Sequence, residues 1–148
     1  MDSLDLQTII NKLGSSLFAQ NIAFHRSLDS TNTLAKELAA QGAPEGTLVL
    51  AEEQSAGRGR MGRRWVSPGH VNLLFSLLLR PHIHKDQVFV TTMILALATI
   101  EAIKSKTGLT SRIKWPNDIF AAGKKLGGIL TEFSLRQEDI DYVVLGLS

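Results

Sequence analysis

The run Glu53-Gln54-Ser55-Ala56-Gly57-Arg58-Gly59-Arg60-Met61-Gly62-Arg63-Arg64-Trp65 sets four arginines among glycines directly after an apolar stretch. Glycine lets backbone N–H groups come close to an anion, and arginine offers a planar fork of donors that matches carboxylate or phosphate oxygens. No acid lies between Gln54 and Trp65, although the whole chain carries a formal charge of only +2, so the anion-holding character is local. Read literally, Gly57-x-Gly59-x-x-Gly62 fits the dinucleotide-binding pattern, but that pattern must open a helix whose N-terminus faces the pyrophosphate. Here Val66, Pro68 and Gly69 follow and argue against a helix, and no Gly-Lys-Ser/Thr follows the glycines as a P-loop would require. The plain alternative is a solvated basic loop.

Two further segments carry chemistry. Lys114-Trp115-Pro116-Asn117-Asp118 puts a cation, a large ring, a rigid turn and two short polar side chains within five residues. Proline fixes the backbone so that Asn and Asp point in defined directions; an Asx turn beside a core tryptophan is the structural alternative. Lys124-Lys125-Leu126-Gly127-Gly128-Ile129-Leu130 opens a strand with paired lysines and then removes two side chains. Paired glycines weaken a strand, so they point to a ligand or another backbone in close approach, or to a bulge. His82-x-His84 lacks a third ligand and reads as surface, so no metal site is assigned.

These segments need elements to hold them. Leu6, Ile9, Ile10, Leu13 and Leu17 recur at helical spacing over Leu4 to Leu17, and Ser30-Thr31-Asn32 offers caps for a helix from about Thr33 to Gln41. Thr47 to Ala51 reads as a buried strand and Val71 to Arg80 as a central one, stopped by Pro81. Lys85 to Lys106 is apolar around most of its circumference, the pattern of a helix buried against a sheet and closed by Gly108. Strands follow over 112–115, 119–121, 126–133 and 142–147, with a hairpin turn at Ala122-Gly123-Lys124. The fold class is α+β, one domain over residues 1–148.

The 148 residues, 44% hydrophobic and 20% charged, suffice for one domain with a core. The absence of cysteine excludes disulfide frameworks, thiolate nucleophiles and cysteine-based metal sites. Residues 1–24 lack the layout of a secretory signal. The apolar tract Val88 to Ile103 is interrupted by threonines and Glu101 and falls short of the roughly 20 residues that span a bilayer. The expectation is a cytoplasmic protein with no membrane partner.

Taken in order, Ser30-Thr31-Asn32, the Glu53 to Arg60 run with Trp65, Asn72-Leu73, Lys114 to Asp118, and Lys125-Leu126-Gly127-Gly128-Ile129-Leu130 resemble the signatures of the biotin–protein ligases. The resemblance runs from about residue 20 to the end. It implies the mixed sheet flanked by helices shared by biotin and lipoate ligases and related to class II aminoacyl-tRNA synthetases. It also implies a two-step reaction: biotin and ATP, with magnesium, give biotinyl-5′-adenylate and pyrophosphate, and a lysine of a carboxylase's biotin carboxyl carrier domain then takes the biotinyl group.

By the same resemblance, Arg58, Lys125 and Asp118 are the catalytic candidates. Ser30, Thr31, Asn32, Gln54, Arg58, Gly59, Arg60 and Lys125 would bind biotin, while Arg58, Arg60, Trp65, Asn117 and Lys125 would bind nucleotide. Asp118 would orient the attacking amine, hold magnesium, or serve only its turn. The glycine-rich loop is expected to order over the ligand.

Relatives usually continue past Val143-Val144-Leu145-Gly146 as Gly-x-Gly-x-Asn, whereas this chain ends at Gly146-Leu147-Ser148. The expectation is thus a catalytic domain incomplete at its C-terminus, without a C-terminal β-barrel domain or a winged-helix domain, and with no operator binding. Rival readings are a lipoate or octanoyl transferase on the same scaffold, a catalytically impaired fragment, and a basic nucleic-acid-binding module. Aromatic residues at 6% and the lack of a broad basic face count against the last, so no nucleic-acid partner is expected. A homodimer is left open.

Overall fold

The structure, a computed structural model, describes residues 3–148. Helix α1 (Leu6–Leu13) is capped by Asp5, whose carboxylate accepts from the Gln7 and Thr8 N–H groups. It stops at Gly14, at φ +56°, four residues before the expected end, and the remainder forms a short 3-10 turn at Leu17–Ala19. Strand β1 (Ile22–Leu28), helix α2 (Thr31–Ala40) and strand β2 (Leu48–Gln54) follow. Then come β3 (Leu74–Leu79), α3 (Val88–Thr107), β4 (Ser111–Lys114), β5 (Asp118–Ala121), β6 (Lys124–Arg136) and β7 (Asp139–Leu147).

The seven strands form one sheet in the order β1-β2-β3-β7-β6-β5-β4. Only β1 and β2 run parallel; the remaining pairs are antiparallel. A parallel pair needs a crossover, and α2 supplies it. The α+β mixed-sheet expectation holds, with β7 rather than β3 in the middle. β1 was not foreseen: Ile22-Ala23-Phe24-His25-Arg26-Ser27-Leu28 mixes polar and apolar residues without alternation, and edge pairing to β2 decides it.

Alternation along β7 shows how the core divides. Val143, Leu145 and Leu147 enter the apolar cluster that includes Ala96 of α3, while Val144 joins Ala35 and Ala39 of α2 on the opposite face. A strand buried on both faces reads as a continuous apolar run, which is what Val143-Val144-Leu145 is.

α3 departs from its expected burial. Val88, Met93, Ile100 and Ile103 pack on the sheet, yet Val90, Ile94 and Leu97, one helical stripe, are 54%, 62% and 56% exposed. The helical run Lys85–Thr107 is 23 residues long and, by length and composition alone, could cross a membrane, contrary to the shorter tract read from sequence. Its inner face shares one apolar cluster with Ile119, Ile129 and Val143, contacts a spanning helix would have to give up.

Candidate functional site

The first turn of α2 and the end of β2 form one wall. Ser30 caps α2, its hydroxyl accepting from the Thr33 N–H at 3.4 Å, so the helix begins two residues before the expected Thr33. Gln54 Oε1 accepts from the Thr31 N–H at 2.8 Å and from the Thr31 hydroxyl at 3.1 Å. The Ser76 hydroxyl donates to Asn32 Oδ1 at 2.6 Å and lies 2.8 Å from Thr31 Oγ1. Asn32 spends its two amide hydrogens on the Leu130 carbonyl and on Glu132 Oε2, both at 3.0 Å. It reaches them because β7 carries Gly146 opposite: a Cβ there would stand 2.1 Å from Asn32 Oδ1.

The arginine loop leaves β2 and folds back on itself. Trp65 N–H donates to the Gly57 carbonyl at 2.8 Å and Gly59 N–H to the Arg63 carbonyl at 2.7 Å, with an isolated bridge between Arg58 and Arg64. A Cβ at Gly57 would meet the Trp65 carbonyl oxygen at 2.5 Å, so the narrow neck requires glycine. The tip turns through a short 3-10 segment, Arg60–Gly62, with Met61 at φ +58°. No α-helix follows, which agrees with rejecting the dinucleotide pattern; the neck is hydrogen-bonded, while the tip from Arg60 to Arg64 is exposed.

The second stretch faces it. Asp118 opens β5 and Lys125 lies early in β6; Asp118 Oδ1 and Lys125 Nζ pair at 2.9 Å. The paired glycines serve separate ends. A Cβ at Gly127 would stand 2.9 Å from the Ser148 carbonyl oxygen, whereas one at Gly128 would stand 3.2 Å from Asp118 Oδ1 and 3.5 Å from Lys125 Nζ. Two contacts then join loop to stretch: Lys125 Nζ lies 4.8 Å over the Trp65 ring, and Arg60 Nη1 donates to Asn117 Oδ1 at 3.3 Å. Asn117 Nδ2 donates to the Ile129 carbonyl at 2.8 Å.

Between these walls lies a cavity of about 460 Å³, within the size range of small-molecule pockets. All the sequence candidates line it: Ser30, Thr31, Asn32, Gln54, Arg58, Gly59, Arg60, Trp65, Asn117, Asp118 and Lys125. Its charged lining is Arg58, Arg60, Arg63, Arg64, Lys114 and Lys125 against the single carboxylate of Asp118, a balance that selects an anion. Trp115, in contrast, is 72% exposed and not a core residue; its ring packs on Phe89 with centroids 4.7 Å apart.

Glu132 and Lys36 were not foreseen. Arg58 donates through Nη1 and Nη2 to the two oxygens of Glu132 at 3.0 and 2.9 Å, and through Nη2 to Thr33 Oγ1 at 3.2 Å. Lys36 Nζ adds a bond to Glu132 Oε1 at 2.8 Å. Burial pushes the Glu132 pKa up, but the bonds from Arg58, Lys36 and Asn32 outweigh it and hold the carboxyl at about 2. The only trace of Glu132 in the sequence is a lone acid within Ile129-Leu130-Thr131-Glu132-Phe133, which by itself says nothing of its partners. Among the described residues no cluster of three acidic or histidine side chains is arranged to hold a metal.

Comparison with known proteins gives the family. The chain is 42% identical over 135 residues to the bifunctional ligase/repressor BirA of Bacillus subtilis (strain 168), covering 91% of this chain and 42% of that protein. It is 40% identical over 121 residues to the biotin–[acetyl-CoA-carboxylase] ligase of Paracoccus denitrificans, covering 80% of this chain and 50% of that one. Among solved structures, the biotin protein ligase from Aquifex aeolicus in complex with biotin and ATP superposes with a TM-score of 0.67 at 32% identity, over 87% of this chain and 52% of that one. The chain thus spans about half the length of these relatives. Residues 24–148 match the model of the biotin/lipoate A/B protein ligase family, and the chain belongs to that family.

Proposed function

We propose that this chain carries the biotin- and ATP-binding half of a biotin–protein ligase, forming biotinyl-5′-adenylate and passing biotin to a lysine of a carboxylase carrier domain. The observation that carries the reading is the convergence of Arg58 and Arg60 from one stretch with Lys125 from another on one cavity. In the first step a biotin carboxylate oxygen bonds to the α-phosphorus of ATP, the bond to the bridging oxygen breaks, and pyrophosphate leaves. Two anions must meet, so fixed cations offset their repulsion and stabilise the charge that develops. Lys125, steered by Asp118 and Trp65, and Arg58, held by Glu132, are the cations that the fold orients on the cavity.

Ser30, Thr31 and Gln54 supply neutral polar lining for the ureido ring, with Asn32 bracing them. For magnesium carried in with ATP, the wall oxygens that would hold it are those of Asn117 and Asp118, although Asp118 Oδ1 is paired with Lys125 and Asn117 Oδ1 accepts from Arg60. In the second step the lysine amine attacks the acyl carbon, AMP leaves with the phosphate oxygen, and the amine proton passes to a base. Asp118 is the carboxylate on the cavity wall for that proton.

The test is incorporation of labelled biotin into a carrier domain by this chain and by Arg58→Ala and Lys125→Ala. Each substitution should lower the rate by on the order of 10²- to 10³-fold. Unchanged rates in both variants would remove the reading.

A further inference from the structure

Glu132 does not line the cavity, yet it holds the cation that does. Both its oxygens are saturated: Oε1 accepts from Lys36 and Arg58, and Oε2 from Asn32 and Arg58. Its anchors stand on regular elements, α2 for Lys36 and Asn32 and the sheet for Glu132 itself, whereas Arg58 comes from a loop. Arg58 uses three of its five N–H groups on Glu132 and Thr33, leaving Nε–H and one Nη1–H, which lie on opposite edges of the guanidinium, so that one of them can serve a ligand. The cluster keeps a net positive charge, because one carboxylate faces two cations.

We infer that Glu132 is a positioning residue: it fixes the plane of the Arg58 guanidinium across the cavity so that one of its remaining N–H groups meets the carboxylate end of the ligand. The inference rests on the biotin-ligase reading of the cavity and goes beyond it by giving a role to a residue outside the lining.

Positioning and bare electrostatics predict opposite signs. Removing a negative charge about 3 Å from Arg58 would strengthen anion binding if charge alone mattered. If geometry matters, Glu132→Gln weakens it, because an amide NH₂ then faces a donor and one half of the bidentate pair is lost.

The experiment measures, by equilibrium dialysis, the affinity of the chain for biotin and for neutral biotinamide, with circular dichroism confirming the folded fraction. Glu132→Gln should lose about tenfold toward biotin and less than about twofold toward biotinamide. In an Arg58→Met background the same change should alter biotin affinity by less than about twofold, since the residue it acts through is gone. Should Glu132→Gln fail to fold, Thr33→Val, which removes only the third anchor of Arg58, should lose roughly two- to fivefold toward biotin alone.

Equal losses for both ligands would reduce Glu132 to a structural residue and overturn the inference, as would unchanged or tighter biotin binding. A wild-type chain that binds neither ligand would overturn the reading of the cavity itself, and this inference with it.

Discussion

Arg58, Lys36 and Asn32 all point their hydrogens at Glu132, and this ties the charge of one carboxyl to the stability of the fold. The folded value, about 2, lies below the ordinary 4.5, so the ionised group stabilises the protein fully above about pH 4.5 and progressively less as pH falls toward 2. Because the guanidinium is partly solvent-open, about 2 kcal/mol is the expected contribution rather than the full linkage value. Urea unfolding of wild type and Glu132→Gln should show a stability gap of that size at pH 6 that closes between about pH 4.5 and 2; a gap independent of pH would refute the assignment. The cavity residues were legible in the sequence because Arg, Gly, Asn and Asp stand in short unusual runs. Glu132 was not, since its partners lie 74 and 96 positions away in the chain and a single acid on a strand has no local signature.

Strands and turns show a similar division. The hairpin between β5 and β6 was readable from Ala122-Gly123, both of which adopt positive φ, and helix α3 from its apolar length. Strand β1 was not readable, because pairing with β2 rather than its own pattern makes it a strand. Gly146 belongs to this level too: near the chain's end its sequence context shows an apolar strand, and only the register that sets β7 beside β6 and beneath α2 explains a missing side chain. Gly146→Ala should therefore push the Asn32 amide away from Ser76, Leu130 and Glu132 and cost about 1–3 kcal/mol in chemical denaturation. In an Asn32→Ala background the same substitution should cost less than about 0.5 kcal/mol, because the clash is gone. Additive costs would mean that Asn32 is not the group Gly146 accommodates.

The cavity walls and the core are built from the same strands. β7 carries Val143, Val144 and Leu145 into the two apolar clusters and Gly146 into the cavity wall, and β6 carries Ile129 on one face and Glu132 on the other. The arginine loop, though outside the sheet, is tied to it through Arg58–Glu132 and Arg60–Asn117. A ligand spanning both walls would thus bind only when the sheet is folded, and its binding energy would add to global stability instead of ordering the loop alone. Biotinyl-5′-adenylate at a hundred times its dissociation constant supplies about 2.7 kcal/mol. For a domain of this size that should raise the melting temperature by roughly 5–10 °C, read by circular dichroism at 222 nm. The rise should be largely lost in Lys125→Ala, which leaves the core intact but removes a cation from one wall. If the ligand instead slowed tryptic cleavage near Arg60 while leaving the melting temperature unmoved, the loop would be binding alone and the two walls would not form a single site.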